Sequence, residues 1–361
     1  MRAAVFSGPN IMHIRELKLP QGTENEKMVL LKVNSCSVCG YDAQVFRNGH
    51  SKVKPPIILG HEICGEVIQN NTNFNKETIK IGSRVAVSPL VPCLNCWYCN
   101  NEQYNMCINL KEIGSTINGG FAEYIRVPPN TVMIGGLVPI PDKLSNEEAS
   151  LLEPLSCCLN AFNNLIVPST KEIGSVVIIG DGPIGLINLQ LAKKFFGAKS
   201  TGIIGKVPLR MQKAKSMGSD MVLSFPKNHD IARIKTILDK VLEFTKGIGA
   251  DVIIIATSDP AALDFAIKIS SKNSKIIIFA GISKRKSPVA IDPNWIHYNQ
   301  ISIAGSFSAT PEMLADAVRI ASTKEIDLSQ MITHRFSLDD IEKAMITTEK
   351  YYGLRSVIHK F

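Results

Sequence analysis

The apolar positions of this chain change rhythm along its length. Through residue 127 they come in short runs, at 3–6, 28–33, 64–68 and 83–87, broken by glycine, proline and polar stretches such as 70–76. Runs of that length between turn residues read as β-strands. Residues 118–127 read as a turn leading into another strand. The first third of the chain is therefore expected to be all-β, a partly open barrel. Near residue 145 the spacing turns helical. Ser145 stands as a cap, Glu148 completes a capping box, and Ala149, Leu151 and Leu152 follow.

From residue 173 strands and helices alternate. Buried-type strands are expected at 175–179, 201–204, 221–224, 251–256, 275–280 and 301–305. Helices are expected at 186–196, 210–217, 231–245, 261–270 and 311–322. Within 231–245 the apolar residues Ile234, Ile237, Leu238, Val241 and Leu242 recur at helical spacing. Such alternation builds a doubly wound parallel sheet, so the class is α/β. The last stretch, 332–361, mixes strand and helix signals. At 361 residues the chain is too long for one ordinary core, and two domains are expected.

Composition adds limits. The formal net charge of +8 is spread along the chain. No Lys/Arg run reaches five residues and no aromatics interleave with a basic cluster, which argues against a nucleic-acid partner. A basic balance suits an anionic ligand such as a phosphorylated cofactor. No apolar run is long enough to span a membrane. The start, MRAAVFSGPN, lacks the pattern of a signal peptide, so a cytoplasmic protein is expected. In that setting nine cysteines, four of them between 93 and 107, point to metal rather than disulfides.

Three stretches carry chemistry. The first is Val38-Cys-Gly-Tyr-Asp42 followed by Leu59-Gly-His-Glu62. Cys39 and His61 are ligands of the kind zinc prefers, Glu62 can supply a third from oxygen, and three protein ligands leave one position open for catalysis. Asp42 can orient a ligand from behind. The plain alternative is a buried cysteine and a satisfied core histidine. The second stretch holds Cys93, Cys96, Cys99 and Cys107. Four closely spaced thiolates close a tetrahedral shell, which describes a structural zinc; an iron–sulfur cluster uses other spacings. The third is Gly180-Asp-Gly-Pro-Ile-Gly185, set between an expected strand and helix. There a glycine loop accepts a dinucleotide, with the pyrophosphate on the helix N-terminus. Gly180, Gly182, Pro183, Ile184 and Gly185 are its residues.

An acid about twenty residues past the first glycine would read the ribose hydroxyl of NAD. No Asp or Glu lies between Asp181 and Asp220. The end of the second strand carries Gly205, which leaves room, and Lys206 and Arg210, which can pair with a 2′-phosphate. NADP is therefore expected, with NAD possible. Glu153 is a further acid, set in the apolar stretch Leu151–Leu155.

Taken together, VCGYD, LGHE, the four-cysteine lobe, EPLS, GDGPIG and Ile332-Thr-His-Arg-Phe336 resemble the zinc-dependent medium-chain alcohol dehydrogenases, especially their sorbitol, threonine and glucose dehydrogenase branch, over essentially the whole chain. The resemblance implies a GroES-like catalytic domain from residues 1–153 and 297–361, with the zinc lobe at about 92–108, and a Rossmann domain at 154–296. It implies two zincs per subunit. The catalytic one would be held by Cys39, His61 and either Glu62 or Glu153. It implies hydride transfer between NAD(P) and a small alcohol or ketone: a polyol, a sugar or a secondary alcohol. A homodimer or homotetramer joined partly along the sheet edge near 301–305 would follow. A threonine-type amino-alcohol dehydrogenase and an aldose 1-dehydrogenase are alternatives. So is a sugar phosphate met by Arg47, His50, Lys52 and Lys54. A non-catalytic NADPH-binding protein is disfavoured because Cys39, His61, Glu62 and Glu153 are all present. Two positions depart from the family. Tyr41 stands where a Ser or Thr passes on the substrate proton, and Gln44 where many members extend that relay with His.

Overall fold

The computed structural model describes residues 1–20, 27–74, 77–165, 173–226, 230–282 and 288–361. The chain divides into two compact units, Met1–Ser156 with Ser308–Phe361, and Cys157–Phe307. Among the described residues no helix is long and apolar enough to cross a membrane.

The first unit is built on β-sheet. A seven-stranded sheet runs in the order Leu137–Pro139, Arg84–Val87, Glu62–Asn70, Val29–Val38, Arg355–Lys360 and Ile332–Ser337, with Tyr124–Val127 also paired to Val29–Val38. A smaller sheet joins Ile11–Glu16, Arg2–Gly8 and Ile57–Ile58. Val29–Val38 is bonded on both edges and nearly continuously buried, which is why it reads as an apolar run rather than an alternation. Its side chains join a core that includes Phe6, Leu59, Ile63 and Phe121.

The mixed signal at the chain's end resolves into a strand, Ile332–Ser337, a helix, Ile341–Glu349, and a second strand, Arg355–Lys360. That last strand docks antiparallel against the end of Val29–Val38, with Ser356 opposite Val38. On the other edge Ser37 lies opposite Glu62. The strand expected at 64–68 in fact begins at Glu62, so His61 stands at its mouth. Gly60 makes that entry possible. Its φ is +94°, and a Cβ there would meet Cys36 Sγ at 2.9 Å and the Phe121 ring at 3.0 Å.

The second unit is a six-stranded parallel sheet in the order Met221–Ser224, Ser200–Gly205, Ser175–Ile179, Ala250–Ile255, Ser270–Ile278 and Ser302–Gly305. This is the doubly wound order, with its reversal between the first and fourth strands. Every residue of Ser175–Ile179 is buried, as a strand covered on both faces must be. Helices begin earlier than their apolar rhythm suggests, at Pro183 rather than 186 and at Pro208 rather than 210. Proline suits the first helical turn, where its missing N–H leaves nothing unsatisfied. Past Gln190 the first of these continues as one wider turn, Leu191–Phe195. The fifth strand starts at Ser270 rather than 275: Ser270 lies opposite Ala250, and after an irregularity the ladder resumes with Lys275 opposite Val252. Ser302–Gly305 pairs with that fifth strand and so belongs to this sheet; the chain rejoins the first unit at Ser308, not at 297.

Candidate active site

Cys39 closes the central strand and caps the helix Gly40–Asn48 that follows it. His61 and Glu62 open the neighbouring strand. Strand pairing thus carries three ligand-type side chains to one end of the sheet. The Cys39 sulfur, a His61 ring nitrogen and a Glu62 carboxylate oxygen all lie within 4.8 Å of one another. Asp42, one turn into the helix, is fully buried and ties two of them in place. Its Oδ2 accepts from the Cys39 backbone N–H at 3.0 Å, and its Oδ1 lies 3.3 Å from His61 Nδ1. That contact leaves His61 Nε2 as the nitrogen able to ligate.

The electrostatics of this cluster favour a cation. Burial works against a charge on His61, yet Asp42 and Cys39 outweigh it and hold the imidazole well above its usual value. Burial pushes Glu62 up to about 7, against the pull of Arg355 and His61. One sulfur, one nitrogen and one carboxylate oxygen, with a carboxylate behind the imidazole, fit a zinc that keeps an open position.

Two partners of Glu62 had no signal in the sequence. Arg355 Nη1 lies 2.9 Å from Glu62 Oε1, with the two side chains 4% and 0% exposed. The same guanidinium donates to the Val38 carbonyl at 3.2 Å. Ser37 Oγ donates to Glu62 Oε2. Both follow from strand register, which brings Ser37 to Glu62 across 25 residues and Arg355 to it across nearly three hundred. Glu153 does not belong to the set of mutually close ligand atoms. It stands in the first turn of the helix Leu152–Asn163, and its charge raises both Glu62 and Arg355.

Tyr41 lies on the side of the cluster. Its ring meets His61 edge-on at 6.0 Å and His50 at 5.4 Å. Its hydroxyl is 3.0 Å from Ser115 Oγ and 3.4 Å from His50 Nδ1, and burial raises its pKa. Gln44 makes no comparable contact among the described residues.

The four-cysteine lobe closes on itself. The sulfurs of Cys93, Cys96, Cys99 and Cys107 lie within 4.8 Å of one another. Cys96 and Cys99 are 3.5 Å apart and Cys93 and Cys99 4.0 Å apart. Sulfurs about 2.3 Å from a tetrahedral zinc would be separated by about 3.8 Å, so the lobe fits that metal. Backbone N–H groups aimed at sulfur, chiefly from Cys99, lower Cys96 to about 6, while burial raises Cys99 to about 12. All nine cysteines are free thiols.

In the second unit the glycine loop turns between the first strand and its helix. Gly180 has φ +126°, and a Cβ there would lie 2.5 Å from the Ala256 carbonyl oxygen. Gly182 caps the helix Pro183–Gln190. The residues expected to read a 2′-phosphate are otherwise engaged than expected. The space left by Gly205 is filled by the side chain of Asp181. Asp181 Oδ2 accepts from Lys206 N at 2.7 Å and Val207 N at 2.6 Å. Lys206 Nζ pairs with Asp259 at 2.9 Å and lies over the Phe225 ring. Arg210 is buried, its Nη1 turned toward Gly182.

Residues 25–142 match the alcohol dehydrogenase GroES-like domain, and residues 183–323 match the zinc-binding dehydrogenase domain. The chain is 30% identical to a D-arabitol-phosphate dehydrogenase of Enterococcus avium, over 93% of this chain and 90% of that one. It is 30% identical to a sorbitol dehydrogenase of Bacillus subtilis, over 96% of this chain and 92% of that one. Among solved structures, a zinc-binding dehydrogenase from Sinorhizobium meliloti bound to NADP superposes with a TM-score of 0.85 at 25% identity, covering 99% of this chain and 98% of that one.

Proposed function

The chain belongs to the zinc-dependent medium-chain alcohol dehydrogenase family, and from that premise we propose that it moves a hydride between a polyol or polyol phosphate and a nicotinamide cofactor. The observation that carries the reading is the Cys39–His61–Glu62 cluster with Asp42 fixing two of its members. In this reading those three residues hold the catalytic zinc, and Cys93, Cys96, Cys99 and Cys107 hold the structural one. Zinc supplies Lewis-acid chemistry there, polarising an alcohol or carbonyl oxygen and lowering the pKa of the alcohol. The cofactor supplies the hydride acceptor.

The chain's own residues do the rest. Asp42 keeps His61 in one tautomer and aims its Nε2. Arg355 and Ser37 hold Glu62 in the buried wall of the cluster. Glu153 adds negative charge behind Glu62 and is the alternative carboxylate for the metal. Tyr41 Oη is the hydroxyl at hand for the substrate proton. Burial keeps it protonated, and His50 Nδ1 stands behind it to pass the proton toward solvent. Gly180, Gly182, Pro183, Ile184 and Gly185 seat the pyrophosphate on the amides of the helix start.

The polyol substrate rests on the sorbitol and arabitol-phosphate relatives. The phosphorylated form has one further support. His50 touches Tyr41, and Lys52 and Lys54 lie in the same exposed loop, while Arg47, in the last turn of the helix before it, pairs with Glu349 at 3.5 Å. A homodimer or homotetramer joined along the edge strand Ser302–Gly305 belongs to the same proposal, as does a cytoplasmic setting, which cysteines grouped for metal rather than paired in disulfides support. The test is NAD(P)-linked oxidation of sorbitol, arabitol, arabitol phosphate, threonine and glucose by the zinc-loaded protein. Turnover of polyols or their phosphates above threonine and glucose supports the reading; threonine or glucose as the best substrate refutes it.

A further inference from the structure

We infer that Asp181 occupies the seat of a cofactor 2′-phosphate and thereby selects NAD over NADP. The inference rests on the dehydrogenase reading and revises the NADP expectation drawn from Gly205, Lys206 and Arg210. In a sheet of this order the adenosine ribose lies against the end of the second strand, where an acid that follows that strand reads its hydroxyls. Here the second strand ends at Gly205 and no acid follows it.

The carboxylate arrives instead from the glycine loop. Asp181 is buried, and its Cβ and carboxylate take the volume that a side chain on Gly205 would need. Oδ2 accepts from the successive amides of Lys206 and Val207, at 2.7 and 2.6 Å. Val207 caps the helix Pro208–Ser216, so the carboxylate also faces the positive end of that helix. Two convergent amides at a helix start make a natural anion seat. In this chain the seat is filled by the protein's own anion.

The consequences for the two cofactors are opposite. Oδ1 of Asp181 makes no hydrogen bond to the described residues and can accept from a ribose 2′-hydroxyl. A 2′-phosphate would meet a buried carboxylate at the same place. The nearby cations have contacts of their own. Lys206 Nζ pairs with Asp259 and lies over Phe225, and Arg210 Nη1 would stand 3.8 Å from a Cβ on Gly182, the residue after Asp181.

The test is direct binding of NADH and NADPH, followed by nucleotide fluorescence, to the zinc-loaded wild type, Asp181→Ser and Asp181→Asn. Wild type is expected to bind NADH at least about tenfold more tightly than NADPH. Asp181→Ser opens the seat and is expected to improve NADPH binding about tenfold while weakening NADH. Asp181→Asn keeps the volume, removes the charge and is expected to narrow the gap, which covers the case in which the serine variant does not fold. Equal binding or an NADPH preference in wild type, or an unchanged ratio in both folded variants, overturns the inference and leaves the dehydrogenase reading standing. Binding of neither nucleotide overturns both.

Discussion

Arg355→Met would leave Glu62 buried without its cation, and the cost can be followed through pH. In the wild-type protein burial raises Glu62 from an ordinary 4.5 to about 7. A carboxyl whose folded pKa is raised contributes stability that is fully present below the unfolded value and lost as pH rises through the folded value. For wild type that loss is complete a little above pH 7. Without Arg355 the folded value rises further, so the loss continues through pH 8 and 9, at about 1.4 kcal/mol for each pH unit. The gap between wild type and variant should therefore widen by about 2 kcal/mol between pH 7 and 9, because wild type itself still loses about 0.4 kcal/mol above pH 7. Beneath it lies a pH-independent cost of about 1–3 kcal/mol, because the Val38 carbonyl loses its partner. The assay is urea unfolding of both proteins in the metal-free state, from pH 6 to 9. Zinc should narrow the gap by replacing the lost charge. A gap that stays constant between pH 7 and 9 would refute the assignment of Arg355 as the counter-ion of Glu62.

Other perturbations separate the remaining roles. Asp42→Asn keeps the volume but not the charge behind His61, and should weaken zinc binding about ten- to a hundredfold in competition with a chromophoric chelator; unchanged affinity removes Asp42 from the site. Cys96→Ser should lower the zinc content by one per chain and expose the segment 93–107 to limited proteolysis, whereas an intact count would mean that the lobe holds no metal. Tyr41→Phe removes the hydroxyl between Ser115 and His50 and should reduce kcat about a hundredfold with little change in cofactor binding. An unaltered kcat would show that the substrate proton leaves by another path.

What the sequence disclosed follows from how far apart the interacting residues lie. The glycine loop, the cysteine lobe and the Cys39 and His61 motifs were legible because each is a short run whose spacing suits one kind of ligand. The alternation of strands and helices after residue 173 was legible for the same reason. Arg355 and Ser37 were not. Their contacts with Glu62 depend on Ser356 lying opposite Val38 and Ser37 opposite Glu62, a register that no local pattern records. Asp181 misled in another way. No acid follows the second strand, and a glycine at 205 reads as open space, whereas the carboxylate that fills the space belongs to the glycine motif itself. The helix starts at Pro183 and Pro208 were hidden because apolar rhythm begins only once a helix faces the sheet, whereas the first turn is set by its cap and proline.

The central claim is that Cys39, His61 and Glu62 hold a catalytic zinc distinct from the one in the cysteine lobe. Zinc per chain, by elemental analysis of wild type and Cys39→Ser, with polyol-dependent reduction of NAD(P) measured on the same preparations, tests it most directly. Two zincs and turnover in wild type, against one zinc, retained NADH binding and no turnover in Cys39→Ser, is the predicted result. Two zincs and undiminished turnover in Cys39→Ser would contradict it.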